Sequence, residues 1–177
     1  MKRSYMSVLV LTLSAMAGSV LADGGSKAVS GVPKNEAYQS ECSGCHMAYP
    51  ADLLPAASWK KMMAGLSDHF GDNATMDAKT AKEIGDYLAK NAGDVSNTGL
   101  AHKVLRKLGS GEAPLRITEL PYIAREHKHE LPKDVFKRSD KLTSLSQCDG
   151  CHTKATEGSF REREIVIPGS GRNHEGH

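Results

Sequence analysis

The chain has 177 residues, 23 lysines and arginines against 21 acids, a formal net charge of +2, and only 5% aromatic residues. Such a near-balanced charge argues against nucleic acid as a partner, and the length allows one domain or two small ones. So little aromatic content leaves only a modest protein core.

Lys2 and Arg3 precede a mostly apolar run from Val8 to Val20, and Val20-Leu21-Ala22 followed by Asp23 supplies a cleavage site. This is the pattern of a secretory signal peptide over residues 1–22. The run is short for a span of about 20 residues and is interrupted by Ser and Thr, which favours cleavage over anchoring. In a bacterium the destination is the periplasm. Removing the leader takes away two basic residues and no acid, so the exported chain is near neutral.

After a loose stretch from Gly24 to Gly31, Pro33-Lys34-Asn35-Glu36 reads as a helix start running towards Cys42. There the chain carries Cys42-Ser43-Gly44-Cys45-His46, and the pattern returns as Cys148-Asp149-Gly150-Cys151-His152. These two pentapeptides use all four cysteines. Cys-x-x-Cys-His is the attachment signature of a c-type haem: each thiol adds across a vinyl group and the histidine ligates the iron. On a helix, positions i, i+3 and i+4 share one face, which suits that grip. A Cys₄ zinc site, redox dithiols or structural disulfides are the competing readings. None explains a histidine directly after the second cysteine in both copies. Two covalent haems are therefore expected, with an apo-protein that folds poorly.

A second helix is expected from Ala56 to about Ser67, with Trp59-Met63 and Met62-Leu66 at i, i+4 spacing. Gly71-Asp72-Asn73 breaks the chain. Asp77 then starts the clearest helix, striped by Ala81, Ile84, Tyr87 and Leu88 and ending near Gly93 as a C′ cap. This order resembles a small mono-haem cytochrome c domain. Residues from Gly93 to Pro114, rich in glycine, read as a linker, and the exported chain divides into haem-binding lobes at 23–110 and 111–177. In the second, Thr118 is placed to cap a helix through Tyr122, Ile123 and His127. Pro132 starts another turn or helix, and Leu142, Leu145 and Cys148 share a face leading into the second motif. Ile165-Val166-Ile167 is apolar enough to tuck against the lobe, and Gly169 to His177 reads as a frayed tail. The fold class is mainly α, two small helical lobes with one haem each.

His46 and His152 are the proximal ligands by motif. For the opposite face of the first haem we favour His69, which follows the second helix and lies far enough downstream for the chain to cross the porphyrin; Met62, Met63 and Met76 are its rivals. For the second we favour His127, which continues the stripe begun by Ile123, with His129 as the alternative, since i and i+2 face apart on a helix. His102, His174 and His177 are expected on the surface or in the tail. Paired histidines close both irons to oxygen, peroxide or substrate and favour electron transfer over catalysis.

The run Trp59-x-x-Met62-x-x-x-Leu66-x-x-His69-Phe70-Gly71, the run Arg116-Ile117-Thr118-Glu119-Leu120-Pro121-Tyr122, and Cys148-x-x-Cys151-His152 with Ala155, Gly158 and Ile165-Val166-Ile167-Pro168 together resemble the bacterial periplasmic diheme cytochrome c family. The resemblance covers roughly residues 36–168. It implies a two-domain, mainly helical electron carrier with bis-histidine, low-potential haems. By position, His69 matches the first distal ligand and the His127 region the second. It also implies redox partners such as a small high-spin c-type cytochrome, with a membrane cytochrome b as a donor. The chain itself is expected to be a non-enzymatic monomer. Arg125 to Lys141, with Lys133, Lys137, Arg138 and Lys141, is a candidate docking surface or an ordinary solvated face. Two other readings stand beside the carrier. One is a haem enzyme or gas sensor with one open iron, and the other a haem-bearing subunit of a membrane complex.

Overall fold

A computed structural model describes residues 28–139 and 142–169. The leader at 1–22, the tail from 170 with His174 and His177, and Lys141 lie outside the described residues.

Asn35 caps α1 (Glu36–Cys42), its side-chain oxygen accepting from the Tyr38 N–H at 2.7 Å. The helix stops at Cys42, with Ser43 as its C-cap. Both pentapeptides are therefore turns rather than helix faces. Ser43 and Gly44, and Asp149 and Gly150 in the second copy, are poor interior helix formers and let the chain bend at the motif. The second motif is a 3₁₀ turn (Cys148–Gly150), closed by the His152 N–H donating to the Cys148 carbonyl at 2.7 Å.

Helix α2 (Ala56–Ala64) ends at Gly65, earlier than the Ser67 expected, and a 3₁₀ turn over Leu66–Asp68 follows. It buries Trp59, whose indole N–H donates to the Ala51 carbonyl at 2.7 Å. Trp59→Phe removes that donor from a buried site and is expected to destabilise the holoprotein by about 1–3 kcal/mol. A denaturation midpoint in guanidinium that does not move would contradict this.

Asp77 caps α3 (Ala78–Lys90), accepting from Lys79 and Thr80 N–H groups at 3.0 and 3.1 Å. Hydrogen bonds from Thr80 hold this exposed carboxyl below its usual range. Ile84 and Leu88 are buried on its inner face, and Tyr87 meets Tyr38 of α1 at 5.5 Å between ring centroids. The first and last helices of the expected small domain thus pack together.

Gly93 is not a left-handed cap. Asn91 ends α3, and Gly93 opens a short helix, α4 (Gly93–Ser96), where the backbone passes close to the Ala51–Leu53 turn. A Cβ there would stand 2.5 Å from the Asp52 carbonyl oxygen, so only glycine fits. Nor is the stretch after it a linker. Thr98 caps α5 (Gly99–Val104), which buries Leu100, Ala101 and Val104. The Thr98 hydroxyl also donates to the buried Asp52 carboxylate at 2.7 Å, and Ser30 donates to its other oxygen at 2.8 Å. Two charge-assisted bonds make a buried carboxylate tolerable. The boundary drawn at 110/111 falls in an exposed turn, Gly109 to Glu112.

Thr118 lies in a 3₁₀ turn (Ile117–Glu119) and caps nothing; α6 (Pro121–Glu130) starts instead with Pro121 at its first position. Beyond α6 the described chain holds only 3₁₀ turns and loops, so the second half is helical in a looser sense than the first. Ile167 packs with Val135 and Leu142 in a small cluster. The main apolar cluster joins Tyr38, Trp59, Ile84, Leu88, Leu100 and Val104 to Leu120, with Ile123 and Phe160 packed on it, so the two halves share one core. The segment at 28–30 also crosses to the second half: the Phe160 N–H donates to Ala28 and the Ser30 N–H to Gly158, both at 2.7 Å.

Candidate functional site

Cys42, at the end of α1, is half-buried and Cys45 exposed. His46 follows, its Nδ1 2.7 Å from the Met47 carbonyl. Donating there leaves Nε2 with a free lone pair, the form a metal ligand needs. The Tyr49 ring stacks on this imidazole, 4.6 Å between centroids and 18° between planes.

His69 is presented by a tight turn. Its N–H donates to the Asp72 carbonyl at 2.7 Å and the Asp72 N–H returns at 3.3 Å, with Phe70 at φ 59° and Gly71 at φ 103° between them. Two central residues with positive φ make a type I′-like hairpin turn. A bulky residue is rarely held so; Phe70 is half-exposed, with the Arg116 guanidinium 4.0 Å from its ring centroid. Partial burial first, then His46, pushes the His69 imidazole below its usual value; Arg116 acts in the same direction and Asp72 against it. The His46 and His69 rings stand 6.1 Å apart with 34° between planes.

In the second half, His152 follows its turn and pairs with Ile165 in an isolated antiparallel bridge. Burial, then His127, pushes it down to about 4. It stays neutral at physiological pH, and its Nδ1 is buried without a partner. His127 comes from α6, its Nδ1 2.9 Å from the Ile123 carbonyl one turn back. The His127 and His152 rings are 6.2 Å apart with 66° between planes. Between them opens a cleft of about 1270 Å³, mouth included, walled by apolar residues of both halves, among them Leu53, Val104, Ile123, Leu142, Phe160 and Ile167, with Cys148 and Cys151 on its edge.

These distances test the fit of a haem. Imidazole nitrogens sit about 2.0–2.1 Å from a metal such as zinc, and with a ring centre roughly 1.2 Å behind each nitrogen two imidazoles on opposite sides of one metal stand about 6.4–6.6 Å apart. Both histidine pairs, at 6.1 and 6.2 Å, come within about half an ångström of that spacing. The cleft is apolar, as a porphyrin face requires. Burial pushes the Cys42 and Cys148 thiols up to about 11, assisted by Glu41 and Asp149 respectively. All four cysteines are free of disulfides, and no cluster of three or more metal-binding side chains occurs among the described residues.

His129, two residues beyond His127 on α6, is exposed. His102 is exposed on α5, with its Nε2 2.7 Å from the Asn97 side-chain oxygen. Met62, Met63 and Met76 pack against the main cluster. Sequence reasoning passed over Tyr49, Arg116 as a neighbour of His69, and Phe160, which stands 5.5 Å from His152. Only the closeness of Tyr49 to His46 in sequence gave any signal.

A family model described as Dihaem cytochrome c matches residues 38–160. The solved diheme cytochrome c from Rhodobacter sphaeroides is 43% identical, with 73% of this chain and 98% of that chain covered and a TM-score of 0.66. The diheme cytochrome type c from Shewanella baltica OS155 is 38% identical over 80% of this chain and 99% of that one, with a TM-score of 0.64. No curated protein matches. With most of its length matched in this way, the chain belongs to the dihaem cytochrome c family of electron-transfer proteins and carries two c-type haems.

Proposed function

We propose that the protein is an exported, periplasmic electron carrier whose two haem irons are each capped by two histidines. Thioethers at Cys42, Cys45, Cys148 and Cys151 hold the haems, His46 and His69 are the axial pair of the first, and His127 and His152 that of the second. The observation that carries this reading is the spacing of the ring pairs, 6.1 and 6.2 Å. The lobes at 23–110 and 111–177 bring one haem each, and residues 1–22 are the export leader. Two imidazoles give low potentials, since a methionine in place of one would raise them. The carrier performs no chemistry of its own. It passes electrons to other redox proteins, for which a small high-spin c-type cytochrome as acceptor and a membrane cytochrome b as donor are apt.

Near-infrared magnetic circular dichroism of the oxidised holoprotein tests the ligands: two imidazole–imidazole bands are expected, and an imidazole–thioether band would overturn one pair. Carbon monoxide separates the carrier from a haem enzyme or gas sensor. Rapid, full binding at one reduced haem would favour the latter.

The two pairs differ in the angle between ring planes, 34° against 66°. Nearly aligned imidazoles split the iron d orbitals more than crossed ones. The first haem is therefore expected to give a rhombic low-spin electron paramagnetic resonance signal and the second a more anisotropic one. Two superimposed rhombic signals would contradict this.

A further inference from the structure

We infer that Tyr49 is the bridge through which the two haems exchange electrons. Its ring lies against the His46 imidazole at 4.6 Å and 18°, and its hydroxyl donates to the Ser146 carbonyl at 2.6 Å. Ser146 is two residues before Cys148, the first attachment point of the second haem. One side chain thus spans from the proximal ligand of one site to the peptide that carries the thioether of the other. Electronic coupling falls less steeply along covalent bonds, a stacked ring and a short hydrogen bond than across a gap.

The bridge is held from a third side. The Tyr49 carbonyl accepts from the Tyr38 hydroxyl at 2.8 Å, and Tyr38 is buried between Trp59 and Tyr87. A tyrosine phenol is protonated throughout the physiological range, so the hydroxyl remains a donor. Other links between the halves, such as Lys34 to the Thr156 carbonyl and Ser30 to Gly158, end on neither Cys-x-x-Cys-His motif. In each exchange one electron leaves the ferrous iron of one site and reduces the ferric iron of the other. Tyr49 is neither oxidised nor deprotonated.

This rests on the axial ligands proposed above, and the test keeps the two apart. In half-reduced holoprotein, the haem-methyl proton resonances, shifted far from the rest by ferric iron, carry an exchange width. That width grows as intramolecular transfer slows within the fast-exchange limit. Tyr49→Phe keeps the stacked ring and removes the hydroxyl; Tyr49→Leu removes both. Transfer is expected to slow several-fold in Tyr49→Phe and further in Tyr49→Leu, with the two low-spin resonance signals of the oxidised protein retained. Retained signals with unchanged widths would overturn the bridge alone. If the unaltered protein lacked two low-spin signals, the ligand assignment would fail and the bridge with it. Should Tyr49→Leu not fold, Tyr49→Phe decides: unchanged widths overturn the bridge.

Discussion

His127→Ala is expected to convert the second haem from a closed, low-spin centre into one that binds carbon monoxide when reduced, while the first stays closed. His127 leaves α6 with its Nδ1 tied to the Ile123 carbonyl and its ring 6.2 Å from that of His152. Among the described residues, His129 is the histidine nearest to it in sequence and the candidate replacement. It is exposed and points from another side of the helix, so rescue would need α6 to unwind. Loss of an imidazole should raise the potential of that haem by on the order of 100 mV, a modest part of the roughly 0.8 V that axial ligation spans. His129→Ala should change neither the spectrum nor the potential. A low-spin second haem in His127→Ala, lost in His129→Ala, would reverse the assignment. The same substitution at His69 should open the first haem only, because the two pairs share no residue.

The chemistry was more legible than the architecture. A repeated Cys-x-x-Cys-His is a covalent requirement, and no packing context overrides it. The capped helices were legible for the same reason of locality: Asn35 and Asp77 each cap a following helix with their own side-chain oxygen. What was missed depends on contacts distant in sequence. Gly93 looked like a helix stop, yet its role is set by the backbone of Asp52 passing within reach. The supposed linker hid α5, although Thr98 as a cap and Leu100 with Val104 at i, i+4 spacing were available signals; the surrounding glycines outweighed them. Helix-face reasoning failed at the haem motifs, where the chain turns: in the second, the Cys151 and His152 N–H groups both donate back to the Cys148 carbonyl. Tyr49 offered in sequence only its nearness to His46, because its other partner, Ser146, lies in the other half.

Replacing both Cys148 and Cys151 by alanine is expected to cost the protein its second haem and, with it, the order of residues 131–169. That segment forms no α-helix in the described structure, and its own buried cluster is only Val135, Leu142 and Ile167. Leu131, Leu145, Phe160 and Ile165 face the cleft instead. Leaving its enclosed part, about 160 Å³, unfilled, at about 24 cal/mol per Å³, would cost about 4 kcal/mol, a large share of the 5–15 kcal/mol that stabilises a whole domain. The walls must therefore collapse or come apart. The first half has its own packed core between α1, α2 and α3, so its amides should keep their protection from hydrogen exchange. Residues 131–169 should lose theirs and become open to proteolysis. The joint at Ala28–Ser30 should loosen too, because its partners Gly158 and Phe160 belong to the segment that is lost. Protection that persisted across 131–169 without the second haem would show that the polypeptide, rather than the porphyrin, is the core of this lobe.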